Sequence, residues 1–267
     1  GWRWVFMIEG MAAVACGIFV LFYLLDRPAD AAWLTPDEKQ WLAVQLAQEN
    51  GRKAGAHHLT LGQIFSNSKV WYLAFIYMFI QITTQTIQFW MPTIVKEFST
   101  DFSNNVVGYL MMLPSAIGLV AVIYWGRHSD RTGERVYHTA APILVLAVSL
   151  CALAFSENLY VKVAALALSG IGTYAFAAPF WAIPTLYLTG SAAAVGIAII
   201  NSMSSFGGFV GNMAVGQIKQ TPYGSSGVLA FQIACAFISF LMILRVQLTS
   251  QQEGRIDSAS TPSISSN

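Results

Sequence analysis

Seven mostly apolar stretches, each long enough to cross a bilayer, constrain this chain more than any other feature. They run over about 5–25, 70–91, 106–125, 137–155, 163–188, 192–218 and 226–244. A membrane-spanning helix needs about 20 such residues. Charged residues make up 10% of the chain, against about 25% in soluble domains. The expected fold class is therefore an all-α membrane protein with seven transmembrane helices. A long polar insert, 26–69, separates the first stretch from the second, and the other connections are short. The tail 246–267 is too polar to bury a core and is expected to be disordered.

Net charge is +1, so bulk charge offers nothing to nucleic acid. Local charge is more informative. If the 26–69 insert is cytoplasmic, ten of the fourteen Lys and Arg residues lie inside. The outer side keeps Arg3, Lys96, Lys162 and Lys219. That is the positive-inside bias of a multi-pass protein, with residue 1 outside and the C-terminus inside. The chain opens GWRW, with neither Met nor a signal-peptide layout. It reads as the continuation of a longer chain whose N-terminal part is missing here.

The insert carries its own helix signal. Thr35-Pro36-Asp37-Glu38 combines a capping threonine, a proline suited to the first helical position and a glutamate three residues after the cap. Leu34, Trp41, Leu42 and Leu46 form one apolar stripe, and Gly51 is a natural stop. These predict an amphipathic helix over 36–50 lying on the cytoplasmic membrane surface. A plain connector between two halves is an equally open reading.

Charges within spans are costly and usually functional. The spans hold one, Glu9, about a turn inside the first. It reads either as an interfacial or packing carboxylate or as a proton or ion site. Uncharged polar residues are patterned more tellingly. Tyr77, Gln81, Gln85 and Gln88 recur at helical spacing on one face of the second span, with Thr84 beside them. Three glutamines facing lipid would be expensive, so this face turns toward protein or water. Pocket lining and hydrogen bonding between helices both remain open.

The stretch 178–212 reads similarly. Pro179 and Pro184 flank Trp181, and each proline removes an amide hydrogen bond and can kink the helix. Asn201, Ser205, Gly208 and Asn212 form a second small and polar row. Gly207 and Gly211 make a GxxxG pair, which marks close helix packing. Trp181 reads as a packing residue or as a ring that stacks on a ligand.

No HExxH, GxSxG or phosphate-binding glycine loop occurs. Neither enzyme chemistry nor ATP energisation is indicated, and no cofactor or metal is expected. Cys16, Cys151 and Cys235 read as buried small residues, and His57, His58, His128 and His138 as solvated ones.

The segment 126–135, GRHSDRTGER, fits G-x-x-x-D-R-x-G-x-R. It resembles the cytoplasmic signature loop of the major facilitator superfamily. Further stretches, GWRWVFMIEG, DRPADAAWLTPDEK, FWMPTIVKEFS and PFWAIPTLYLTGSAAAVGIAIINSMSSFGGFVGN, resemble the anion:cation symporter family of tartrate-, phthalate- and galactonate-type permeases. The resemblance covers about residues 1–245. It implies a major facilitator fold of twelve helices in two halves, of which this chain would hold helix six and the C-terminal six-helix bundle. Residues 1–25 would then be the last helix of the N-terminal bundle. Residues 26–69 would be the central cytoplasmic loop, 70–245 the C-terminal bundle and 246–267 the tail.

The same resemblance implies uptake of an organic carboxylate together with a proton or another cation, by alternating access across a bacterial inner membrane. It points to Trp181 and Asn201 as substrate-binding residues, and more loosely to Gln81 and Gln85. Tyr77, Gln88 and Ser205 join them on the polar faces. Gly126, Asp130, Arg131, Gly133 and Arg135 would form a conformational latch. The anion-binding arginine and the proton-carrying acids of the family would belong to the missing N-terminal bundle. Ala178 and Phe180 stand where some sugar-acid permeases carry hydroxyl residues, which leaves room for a less hydroxylated or aromatic acid. A non-transporting sensor or receptor, or an inactive truncated permease, is the competing reading.

Overall fold

In the computed structural model of this chain, the residues described are 2–25, 28–54, 61–99, 101–187 and 190–260. Two units separate, Gly1–His57 and His58–Asn267. Among the described residues every regular element is helical.

The first unit holds α1 (Trp2–Tyr23), a short 3-10 turn (Pro28–Asp30) and α2 (Pro36–Ala54). The start of α2 follows the sequence signal closely. The Thr35 amide donates to Glu38 Oε2 at 2.9 Å, and the Glu38 amide donates to Thr35 Oγ1 at 3.4 Å. These are the reciprocal bonds of a capping box. They hold the Glu38 carboxyl below its usual range, the Thr35 backbone bond first. Gly51 does not stop the helix, which runs on to Ala54. A glycine inside a helix costs about 1 kcal/mol relative to alanine but does not by itself end one. Leu34 and Leu42 line a cleft of about 280 Å³ with Tyr23 and Trp33, whereas Trp41 is exposed. Glu9 lies exposed on α1, all of whose described side chains are open.

The second unit begins with α3 (Leu61–Phe65). It continues through α4 (Ser68–Lys96), α5 (Asn104–Thr132), α6 (Val136–Phe155), α7 (Leu159–Tyr174), α8 (Ala177–Tyr187), α9 (Gly190–Lys219) and α10 (Gly224–Ser260). Seven helical segments of the described chain are long and apolar enough to span a membrane, with α7 and α8 counted as one span. The chain is an integral multi-pass membrane protein, as its apolar stretches predict.

Three boundaries depart from expectation. The predicted span 163–188 breaks at Ala175–Phe176 into α7 and α8. The break falls four residues before Pro179, where a proline ring collides with the preceding turn's carbonyl. The third span continues past residue 125, so Gly126–Thr132 are the last turns of α5 and only 133–135 form the turn. Finally, α10 runs to Ser260 across much of the tail expected to be disordered.

Glycines set how closely the bundle packs. A Cβ on Gly207 would lie 2.7 Å from both Cγ and the carbonyl oxygen of Met78. One on Gly211 would lie 3.1 Å from Ile82 Cγ2 and from Thr86 Cγ2. The GxxxG pair is therefore the seam between α9 and α4. Both partner numbers rise together, so the two helices run parallel. A buried contact from the Gln232 amide Nε2 to Thr86 Oγ1 at 2.9 Å ties α10 to α4. The Tyr72 hydroxyl donates to the Met242 carbonyl at 2.8 Å, nearer the other end of the same pair.

At the end of α4, Lys219 Nζ donates to Glu97 Oε1 at 2.5 Å and also meets Ser225 Oγ. One cation thus clips the ends of α4 and α9 to the start of α10. Burial would raise the Glu97 carboxyl, but the bonds from Lys219 and Ser225 outweigh it and hold it lowered.

Candidate functional site

The polar rows of α4 and α9 meet along their shared seam. A Cβ on Gly208 would lie 3.3 Å from Gln85 Cγ, and one on Gly216 would lie 3.8 Å from Trp90 Cζ2. Gly208, Asn212 and Gly216 form one row at four-residue spacing, so Asn212 faces α4 between Gln85 and Trp90. Its Nδ2 donates to the Gly208 carbonyl at 2.9 Å.

Gln85 and Gln88 are exposed on α4, and Asn201 and Ser205 are exposed on α9. Gln81 is half-buried and its Oε1 accepts from the Thr84 hydroxyl at 2.7 Å. The stripe therefore divides. Gln81 is engaged within its own helix, whereas Gln85 and Gln88 present their amides outward. An amide offers both donors and an acceptor, which suits hydroxyl and carboxylate partners.

At the other end of this face stands an aromatic group. Tyr77 is buried and stacks on Phe180, with centroids 4.6 Å apart and planes at 13°. Trp181 is half-buried and meets the Tyr77 ring edge-on at 5.0 Å and 67°. Phe176 closes the group at 6.2 Å from Tyr77. The break before Pro179 allows this arrangement, because Phe176 lies before it and Phe180 and Trp181 after it. Ile199 and Ile200, next to Asn201, belong to the same packed cluster as Tyr77 and Phe180. The structure thus gathers Tyr77, Trp181 and the helix segment bearing Asn201. Gln81, Gln85, Gln88 and Ser205 continue that surface along the seam. Glu9 lies in the other unit.

Sequence reasoning missed the part played by three residues. Phe176 and Phe180 carry Tyr77, yet in sequence Phe176 reads as an ordinary apolar residue of a span and Phe180 only as a neighbour of Trp181. Gln232 is fully buried in α10. Its position as a lone amide in an apolar run was an available signal.

The 126–135 segment forms a second constellation. Gly133 closes α5 with φ at +68°, a conformation that strongly favours glycine, and its amide donates to the Ser129 carbonyl at 3.0 Å. Arg135 Nη1 donates to Asp130 Oδ1 at 2.7 Å and to Ser129 Oγ at 3.0 Å. The Asp130 side chain is 71% exposed, so this pair fixes geometry more than it adds stability. Arg131 is exposed in the last turn of α5, where a cation suits the helix dipole. Gly126 lies beside α8, a Cβ there meeting Ala178 Cβ at an ordinary contact distance of 3.6 Å.

Next to these residues, the Glu134 carboxylate accepts from the Tyr137 amide at 2.7 Å and the His138 amide at 3.0 Å, capping α6. Burial would raise this carboxyl, but those bonds and the His138 ring hold it below the usual range. His138 is buried, not solvated as its sequence position suggests. Its Nε2 lies 2.6 Å from His128 Nδ1.

The sequence pattern of the Major Facilitator Superfamily matches residues 1–212. A protein of Agrobacterium vitis named "Putative tartrate transporter" is 38% identical over 254 residues, covering 95% of this chain and 58% of its own length. The inner membrane transport protein RhmT of Escherichia coli K12 is 33% identical over 258 residues, covering 94% and 58%. A quinolone resistance transporter of Acinetobacter baumannii is 28% identical over 267 residues, covering 99% and 59%. The chain spans a little under three fifths of the length of these curated relatives.

Proposed function

This chain belongs to the major facilitator superfamily, and from that premise we propose that it forms the C-terminal wall of a proton- or cation-coupled importer of an organic carboxylate. The observation that carries this reading is the uncovered polar face of the bundle. Gln85, Gln88, Asn201 and Ser205 are exposed on helices long enough to span a membrane. Side chains of this kind are poorly matched to lipid and well matched to a polar solute or a facing bundle. Trp181, half-buried against Tyr77, supplies the apolar end of the same surface.

Alternating access would rock this wall against an N-terminal bundle, with the solute held between the two. The inside-positive charge bias supports residue 1 outside and the 126–135 segment in the cytoplasm. Bacterial relatives support an inner-membrane location. The name of the Agrobacterium relative supports a hydroxylated dicarboxylate such as tartrate as the first solute to try. The positions of this wall offer amides, a hydroxyl and aromatic rings, so they recognise the neutral part of such a solute. Its carboxylates would be neutralised by the opposing bundle.

The test is uptake of labelled tartrate by the full-length protein in proteoliposomes under an inward proton gradient. Accumulation above the external concentration, abolished by a protonophore, is expected. Binding without accumulation would instead favour a sensor.

Two substitutions probe the parts separately. Asn201→Ala is expected to raise the KM for tartrate about tenfold, the cost of roughly one lost polar contact, with membrane insertion unchanged. An unaltered KM would remove Asn201 from the site. Asp130→Asn is expected to lower turnover several-fold while leaving tartrate affinity intact. The exposed pair with Arg135 contributes little stability, about 0–1 kcal/mol, so its loss acts on conformational exchange. Equal losses in binding and turnover would contradict a latch.

A further inference from the structure

We propose that His128, His138 and Glu134 form a proton-binding site that holds the end of α5 to the start of α6 and releases it on acidification. The geometry dictates how protons can be arranged there. Glu134 Oε2 lies 2.8 Å from His138 Nδ1. An ionised carboxylate only accepts, so that nitrogen carries a proton. In neutral His138 the other nitrogen, Nε2, is then an acceptor. It faces His128 Nδ1 at 2.6 Å, which must therefore be the donor.

A proton added from solvent, which reaches exposed His128, reverses this bond without breaking it. His138 becomes an imidazolium that donates from both nitrogens, one toward Glu134 and one toward His128. His128 then carries its single proton on Nε2 and accepts at Nδ1. A second added proton has no such solution. Both rings are then cations, and two N–H groups point at each other across a hydrogen-bond distance. The contact must open.

The site is braced so that opening is felt by both helices. Trp125 Nε1 donates to the His138 carbonyl at 2.6 Å, and the Trp125 ring stacks near His128 at 6.2 Å and 25°. The Thr132 hydroxyl donates to the His128 carbonyl at 3.0 Å. Loss of the His–His contact leaves Trp125 and the turn as the remaining ties between the two helix ends.

Among the described residues, the other charged or titratable groups on the elements packed here are few. On α5 they are Arg127, Asp130 and Arg131, and in the turn Arg135, which is occupied by Asp130 and Ser129. On α6 there is Tyr137. From α8 the approach at Gly126 is made by Ala178, which does not titrate. Tyr174 ends α7, and Arg245 on α10 lies between Ile243 and Val246, which pack in one cluster with Val136. Glu134 is held below the usual carboxylate range. Its contribution is present above that range and lost only as pH falls through its lowered value, so it stays ionised in mild acid. The two imidazoles are the groups of the cluster with a nitrogen free to take up a further proton.

In an importer carrying protons inward, such a site would slow turnover as the cytoplasm acidifies. That consequence rests on the transport reading above, whereas the opening itself does not. The experiment therefore reads the contact directly, by hydrogen exchange across 126–139 in the full-length protein in nanodiscs. Rates are corrected for the intrinsic pH dependence of exchange. Between about pH 7.5 and about pH 5 the wild-type segment is expected to lose about tenfold in protection. His128→Gln keeps a donor and acceptor without the charge, and is expected to hold the change under about twofold. Histidine-selective ¹⁵N NMR of the wild type gives a second measurement independent of any variant. It should show the tautomer of His128 reversing with the first proton bound. Protection that is flat with pH in the wild type, an equal loss in His128→Gln, or two rings titrating independently would each overturn the proposal.

Discussion

Replacing Gly170 with alanine is expected to abolish the folded bundle, whereas Gly108→Ala on the facing helix is expected to be neutral or slightly stabilising. A Cβ on Gly170 would overlap the Pro114 carbonyl oxygen and lie 2.7 Å from Pro114 Cα. The obstacle is the backbone of α5, not the end of a flexible side chain. Gly118 repeats the approach one turn on, its Cβ position lying 2.9 Å from the Gly170 carbonyl oxygen. Helices α5 and α7 therefore touch backbone to backbone. Adding a methyl group to a packed site typically costs about 1–3 kcal/mol when neighbours can shift. Here only separation of the two helices relieves the clash, so the cost exceeds that range. Helix α7 also packs on α6, where a Cβ on Gly172 would lie 2.5 Å from the Pro142 carbonyl oxygen. Gly108 has nothing within 4 Å, and alanine favours helix there by about 1 kcal/mol. The check is the fraction of monodisperse protein in detergent and its thermal midpoint. Gly170→Ala matching Gly108→Ala would show that the two helices are not in this contact.

What the sequence made legible follows from one-dimensional periodicity. Apolar runs of fixed length expose spanning helices, because lipid leaves no other way to satisfy the backbone. The capping box of α2 is legible for the same reason, since its partners lie three residues apart. The row of glutamines on α4 was readable as a face. What the face meets was not, because the partner of Gln85 is Gly208, more than a hundred residues away. GxxxG announced close packing at Gly207 and Gly211, but only the structure names Met78, Ile82 and Thr86 as what they pack on. The two histidines illustrate the limit most clearly. Both looked solvated because they flank a polar loop, yet only His128 is exposed. Extension of α5 to Thr132 turns that loop into a three-residue turn and brings the rings together. The break at Ala175 was half legible: Pro179 announced a disturbance, and its location four residues earlier follows from the carbonyl it displaces.

The two constellations lie near the same end of the bundle, Val136 sharing a packed cluster with Tyr77 and Phe180, and are built differently. The His128–His138–Glu134 group is braced by local bonds over a short stretch of chain. The Tyr77–Trp181 group depends on three separate helices, and its uncovered side has only exposed side chains. A face of this kind acquires a full set of contacts only when something is laid against it, so substitutions there should act on binding more than on folding.

Trp181 is the residue at which that distinction should be largest. Its ring edge rests on Tyr77, and it meets Phe180 at 5.6 Å and 80°. Such pairs are worth about 0.5–1.5 kcal/mol beyond the area they bury. Trp181→Ala removes both contacts and leaves Tyr77 supported only by the stack on Phe180 and by Phe176. The expected result is a tartrate KM raised by about tenfold to a hundredfold, the equivalent of roughly 1.4–2.8 kcal/mol at the site, in protein that still purifies as a monodisperse species. Trp181→Phe separates the two ways the ring can act. It restores an aromatic edge toward Tyr77 and lacks the indole N–H. A phenylalanine variant with near wild-type KM assigns the effect to the apolar ring. One as impaired as alanine assigns it to the indole N–H, whether that bonds solute or the Tyr77 hydroxyl. If the alanine variant is folded and transports with unchanged KM, Trp181 is a packing residue alone, and the solute-facing surface must be drawn along Gln85, Gln88 and Asn201 without it.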